Sequence, residues 1–307
     1  MLPLMTGAAT TLLLVVPATV IYLATRAIGD AIGPGPQGLL AAAMLPTTVI
    51  AFVAAGAGMS DVALTIPITC AVAMVTLVLG MTLLNPTTKA AADATESLPS
   101  VYGATLLPAS LVLLAAGGGG LLDHVTVGVL LVIGGALLIS TRRLVWTGWL
   151  GGSRTLQLLL GIALAAAGGW LVWLVAGDMN LLTRPGGASQ AAMFLVGPLV
   201  AVPAIGVSSA MANRGRRDEA ATTLVTSAAL LIVGILPLAA ILLLVTEGGS
   251  SLTLAPRVAR LDAALLAAVG LLVLPAALGK WKLGGAEGIG LALVYGLYLI
   301  VGAAAAL

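Results

Sequence analysis

The sequence predicts an all-α integral membrane protein. It has ten transmembrane helices in two inverted five-helix repeats, with both termini outside. Three observations predict this. Of 307 residues, 60% are hydrophobic and 8% charged, and the mean hydropathy is +1.18. A soluble domain carries about 25% charged residues. The apolar residues come in segments near the roughly 20 residues that cross a bilayer. The positive charges gather in alternate connections. Such a composition cannot supply a water-soluble surface, so a soluble enzyme, a nucleic-acid binder and a disordered scaffold are excluded.

The apolar segments lie at about 6–25, 38–57, 62–84, 100–117, 124–141, 156–176, 190–212, 220–245, 259–279 and 287–306. The breaks between them hold nearly all the charge and much of the Gly and Pro, as in Gly33–Pro36 and Gly117–Gly120. What is left over suffices only for short connections.

With the N-terminus outside, the inner connections carry Arg26, Lys89, Arg142, Arg143, Arg154, Arg214, Arg216, Arg217, Lys280 and Lys282. The outer ones carry only Arg184, Arg257 and Arg260, which completes the 13 Lys and Arg. Positive charge stays inside, so the protein reads as N-out and C-out in the cell membrane. Trp146, Trp149 and Trp281 stand beside the inner charges, where an aromatic belt belongs. The first span has no positive charge ahead of it and reads as an uncleaved anchor rather than a signal peptide.

The two halves resemble each other. A shift of 157 residues lays Pro46 on Pro203, Asp61 on Asp218, Thr65 on Thr222, Thr69 on Thr226 and Cys70 on Ser227. A shift of 160 lays Gly128 on Gly288 and Leu137 on Leu297. The repeats are expected at 1–145 and 155–307, joined by a cytoplasmic linker at 146–154. Five spans per half forces the second half upside down. That arrangement places a transporter's site near the midplane, where the repeats meet.

Certain runs carry a more specific likeness. Ala42-Ala43-Met44-Leu45-Pro46-Thr47 precedes a helix opening at Ser60-Asp61 and closing through Val78-Leu79-Gly80. Leu199-Val200-Ala201-Val202-Pro203-Ala204 is followed by Arg214-Gly215 and Asp218. Gly168–Val172 and Gly284–Gly288, the latter continuing to Tyr295 and Tyr298, stand where a sixth and a last helix belong. In these the sequence resembles the cation/calcium exchanger superfamily, which includes the sodium/calcium exchangers. That family has ten spans in two inverted repeats. Each repeat carries Gly-Thr-Ser-Leu-Pro-Glu and then a helix with Gly-Asn-x-x-Gly-Ser-Asn.

The resemblance implies an antiporter-like transporter, and the departures from it imply a divergent one. The two motif glutamates, the family's main cation ligands, correspond to Thr47 and Ala204. The motif Asn positions become Ile66 and Thr223, the Ser positions Cys70 and Ser227, and the next polar positions Met74 and Leu231. The helix-breaking Pro46 and Pro203 remain. The resemblance thus keeps the bends and loses most ligands.

Every acidic residue, Asp262 and Glu287 among them, falls at a connection or a span end. Calcium takes about 6–8 oxygens, carboxylates among them, and an ion or proton pathway usually shows an intramembrane ionisable group. Calcium exchange by the carboxylate route is therefore not expected. His124 reads as an interfacial residue rather than a proton carrier.

The candidate substrate-binding residues are Thr47, Thr69, Cys70, Thr223 and Ser227, with Pro46 freeing a carbonyl one turn earlier. Such groups suit a weakly hydrated monovalent cation or a small polar solute. The bland alternative is that the hydroxyls bond their own helix or act as packing glue. No catalytic residue, metal site or cofactor is expected. Gly206–Ala210 contains serines but no intramembrane His or Lys base, and no glycine run is followed by Lys-Ser/Thr. The expected partners are membrane lipids and the transported solute, with no nucleic acid. The second reading is a non-transporting subunit of a larger membrane complex, its Gly- and Ala-rich faces packed on partner subunits.

Overall fold

The structure is a computed structural model. It describes residues 35–85, 101–119, 121–145, 192–247, 251–255, 258–277 and 283–304, with single positions 20, 23, 24, 27, 160, 161, 163 and 167. Apart from those single positions, the expected spans at 6–25 and 156–176 lie outside the described residues, as do the linker 146–154 and the run 168–172.

The other eight apolar segments are helical. They are α1 (Pro36–Gly56), α2 (Ser60–Leu84), α3 (Val101–Gly119) and α4 (His124–Val145). Then follow α5 (Gly197–Asn213), α6 (Arg217–Glu247, formed by the consecutive stretches Arg217–Leu230, Leu231–Ile235 and Leu236–Glu247), α7 (Ala263–Ala277) and α8 (Gly285–Ala304). α1, α2, α6 and α8 are long and apolar enough to cross a membrane by length and composition. The chain is a multi-pass membrane protein.

The fold is all-α, as expected, apart from one short antiparallel ribbon in which β1 (Leu121–Asp123) pairs with β2 (Ser251–Thr253). The ribbon ties the α3–α4 connection to the α6–α7 connection. Asp123 also starts α4, accepting the Thr126 N–H at 2.9 Å. The Thr126 side chain, and then its backbone N–H, hold that carboxyl below the usual range.

The chain reverses between α1 and α2 by a Schellman turn. Gly58 N–H reaches Ala55 O at 3.1 Å and Met59 N–H reaches Ala54 O at 2.9 Å. Gly58 sits at φ 69°, a conformation that only glycine takes freely. The same turn joins α5 to α6: Gly215 (φ 78°) bonds Ala212 O and Arg216 bonds Met211 O.

Both following helices then contain a π-helical turn, Met74–Val78 in α2 and Leu231–Ile235 in α6. The paired glycines and the paired π turns all stand 157 residues apart. Pro46 lies inside α1 and Pro203 inside α5 at the same spacing.

Two ends of the bundle can be named. At the arginine end α5 finishes and α6 starts, at Arg214–Arg217. α2 also finishes there, since Asn85 Nδ2 donates to Ser209 Oγ at 3.4 Å. α8 starts there too, the Arg217 guanidinium reaching Leu283 O at 3.4 Å. The opposite end carries the ribbon.

The core centres on α2, whose apolar window is 94% buried; that of α8 is only 28% buried, and Leu293, Leu297 and Ile300 face outward. Glycine lets the backbones close. A Cβ on Gly80 would meet Gly288 O at 2.9 Å, and one on Gly134 would run into Val233 O. The last helix of one half thus packs on α2, and α4 packs on the π turn of α6.

Candidate functional site

Two prolines and two π turns define the crossing of α1, α2, α5 and α6. A proline inside a helix removes an N–H and frees a carbonyl one turn earlier. A π turn disturbs the same ladder, and such turns collect at functional sites. The π turns pack against the opposite half's helices. Met74 and Leu231, which open them, are fully buried, and Met44 is partly buried.

The five candidate binding residues are all buried, but their hydroxyls do not behave alike. Thr69 donates to Thr65 O at 2.9 Å, Thr223 to Glu219 O at 2.7 Å and Ser227 to Thr223 O at 2.8 Å. Thr226 and Thr76 likewise bond Thr222 O and Val72 O, at 2.8 and 2.6 Å. These donors are used up on their own helix, although each oxygen keeps acceptor capacity.

Thr47 is the exception. It follows Pro46, its hydroxyl is 0% exposed, and among the described residues that hydroxyl has no hydrogen-bond partner. The Cys70 thiol of α2 lies beside it and interacts with it. A buried hydroxyl without a partner costs about 1–3 kcal/mol, and such groups normally have a partner.

Sequence reasoning missed three features. Tyr295 of α8 turns its hydroxyl inward, within electrostatic reach of Cys70 and with no hydrogen-bond partner among the described residues. A tyrosine in mid-span was the available signal, since a buried phenol usually finds a partner. Asp262, expected at a connection, is instead fully buried. It closes a π turn over Val258–Asp262 that packs on α3 and on the first half of α2.

The third is a polar contact between α2 and α5. Thr82 Oγ1 lies 2.7 Å from Val78 O and 2.9 Å from Ser208 Oγ. Ser208 Oγ in turn lies 3.2 Å from Ile205 O, so the two hydroxyls share one hydrogen bond across the seam while each keeps its own helix carbonyl within reach. The serines near Gly206 are therefore helix-contact residues.

The acidic groups at helix starts are simple. Asp61 and Asp218 lie in the first turns of α2 and α6 without capping hydrogen bonds, so they act through the helix dipole. Glu287 does cap, accepting the Gly284 N–H at 2.8 Å. Glu219 pairs with Arg216, Oε1 to Nη2 at 2.8 Å, and holds that guanidinium above its usual range. His124 is exposed. Among the described residues no three His, Cys, Asp or Glu side chains come together.

No family model matches the chain, and no curated protein does. Solved structures do. The chain is similar to the sodium-calcium exchanger NCX_Mj soaked with zero Na+ and Ca2+ (TM-score 0.60, 16% identity, 94% of this chain and 97% of that one). It is similar to the same exchanger soaked with 2.5 mM Na+ and 10 mM Sr2+ (TM-score 0.60, 17% identity, 98% and 99%). It is also similar to the H+/Ca2+ exchanger CAX (TM-score 0.67, 14% identity, 95% and 86%). The likeness runs almost end to end, and these neighbours are transporters. The chain is a helical membrane protein with the fold of the sodium/calcium and proton/calcium exchangers.

Proposed function

We propose that the chain is a divergent secondary transporter of the cation/calcium exchanger superfamily. Its site lies at the crossing of α1, α2, α5 and α6. It moves a monovalent cation or a small polar solute across the cell membrane, and it lacks the paired glutamates of calcium exchange. It is not an enzyme.

One observation carries this reading. The buried Thr47 hydroxyl stands unpartnered where the family places a glutamate, with Cys70 facing it. Hydroxyl and thiol groups supply no negative charge, so a doubly charged, strongly hydrated ion gains too little to shed its water. Thr69, Thr223 and Ser227 complete the site through their remaining acceptor capacity.

Two five-helix repeats, at 1–145 and 155–307 with the linker 146–154 between, are part of the proposal. The recurrence of turn, proline and π turn at one spacing supports the repeat. Its inversion is supported because α2 ends, and α6 begins, at the arginine end.

A specific observation favours a second reading, an accessory subunit of a membrane complex. Most of the candidate hydroxyls are spent on their own helices, and Met74 and Leu231 fill the crossing.

The test is flux into proteoliposomes of the purified chain under imposed Na+, K+ and Ca2+ gradients. Saturable monovalent-cation or solute movement that Thr47→Val reduces supports transport. No movement under any gradient would sink it and leave the subunit reading. Calcium movement unaffected by Thr47→Val would overturn the assignment of the site.

A further inference from the structure

The two ends of the crossing have the same backbone and unlike chemistry. From the arginine end, polar groups step inward along α2: Asn85, Thr82, Thr76 and then Cys70. Across the seam on α5 stand Ser209 and Ser208, which meet Asn85 and Thr82. The outer pair is half-buried and the inner pair fully buried, so the ladder starts at the surface and runs to the crossing.

The 157-residue spacing assigns each of these a counterpart at the ribbon end. On α6 they are Leu242, Ala239, Val233 and Ser227; on α1 they are Phe52 and Ala51. Burial matches position by position: Leu242 and Phe52 are half-buried, Ala239 and Ala51 fully buried. Only the chemistry changes. Between Leu242 and Ser227 the α6 side of the ribbon-end seam has no hydrogen-bonding side chain, and the first hydroxyl on the α1 side, Thr48, is bonded to Met44 O at 2.8 Å.

Wetting a seam of hydroxyls and an amide costs less than wetting one of Ala, Val, Leu and Phe. Where two openings of one protein differ in cost, the cheaper dominates the population. We infer that the solute-free chain rests open toward its arginine end. The α2–α5 seam is the route by which water and a small polar or monovalent solute reach Thr47 and Cys70. The α1–α6 seam is the apolar closure, which opens less often. This rests on reading the crossing as a solute site.

The chain's single cysteine makes the test direct. Native Cys70 in oriented membrane vesicles is exposed from each face in turn to a membrane-impermeant cationic methanethiosulfonate. Arg214→Cys in a Cys70→Ser background marks which face is the arginine end, because Arg214 is exposed there. Cys70 is expected to react at least about tenfold faster from the marked face, and Asn85→Leu with Ser209→Phe to remove most of that advantage, since the outer polar pair that admits water to the seam is gone.

Equal rates from both faces, faster reaction from the ribbon face, or no reaction in the native membrane would overturn the inference. The first three measurements need no seam variant, so misfolding of the double variant does not protect the idea. One-sided labelling without flux would keep the route and remove the transport reading. Flux with labelling from the wrong face would do the reverse.

Discussion

Residues 36–85 and 193–242 repeat one backbone plan with partly different side-chain chemistry. Each has a proline inside the first helix, a left-handed glycine closing it, and a π turn in the second. In the first segment the residue after the proline is Thr47, with an unpartnered hydroxyl; in the second it is Ala204. The first ends in Thr82 and Asn85, while the second has Ala239 and Leu242 there. Turn geometry, backbone breaks and the hydroxyl pairs Thr65/Thr222 and Thr69/Thr226 are therefore held in both segments, while the polar groups at Thr47, Thr76, Thr82 and Asn85 are held in one. Two segments on one backbone plan can differ in this way, because backbone breaks decide the fold and side chains decide what enters it.

The comparison can be broken or sharpened by mutation. The largest effect is expected at the glycines where the halves touch. Gly134→Leu and Gly80→Leu force side chains into backbone and should each cost about 1–3 kcal/mol or more. Thermal aggregation in detergent would read this, with Gly128→Ala as a control, since nothing lies within 4 Å of a Cβ there.

Next come Gly58→Ala and Gly215→Ala. If the two turns are equivalent, both should lower stability by about 1 kcal/mol, because each demands a positive φ. A large effect at only one would break the equivalence.

Thr47→Val and Thr69→Val compare a site hydroxyl without a helix carbonyl with one bonded to its own helix. Thr47→Val removes a hydroxyl with no partner, so stability should hold or rise by about 1 kcal/mol while flux falls. Thr69→Val removes a bond to its own helix and one acceptor of the site, so it should leave stability within about 0.5 kcal/mol and lower flux less than Thr47→Val. Equal loss of flux at both, with equal stability, would remove the distinction drawn at Thr47.

The smallest effect is at Asp123. The hydrogen bond to Thr126 lowers its carboxyl pKa in the folded state. Its contribution is therefore present at neutral pH and fades as pH falls through the lowered value. Wild type should be slightly more stable than Asp123→Ala at pH 7, and the difference should close in acid. A difference that widened in acid would contradict this.

Much of the fold was legible. Helices crossing a bilayer are specified by long apolar runs, and eight such runs became helices within a few residues of their expected limits. The 157-residue offset was legible from Pro46, Asp61 and Thr69 because polar residues are rare in such a chain.

The π turns were not legible. Their one-residue slip in hydrogen bonding leaves no mark in composition, and Met74 and Leu231 read as ordinary core. The ribbon of three-residue strands was hidden for the same reason. The burial of Asp262 depends on how α7 enters the bundle, and a position at a span end does not reveal that. In the candidate site the residue types were readable, but not their partners. Thr47 and Thr69 are the same residue type in adjacent helices, and only the fold gives one a carbonyl and leaves the other with none.

The most direct measurement is a high-resolution density map of the chain in lipid nanodiscs, taken in the monovalent cation or solute that it moves. The account predicts an ordered guest within hydrogen-bond distance of Thr47 Oγ1, bordered by Cys70. A crossing closed by Met44, Met74 and Leu231, with nothing but protein against that hydroxyl, would contradict it.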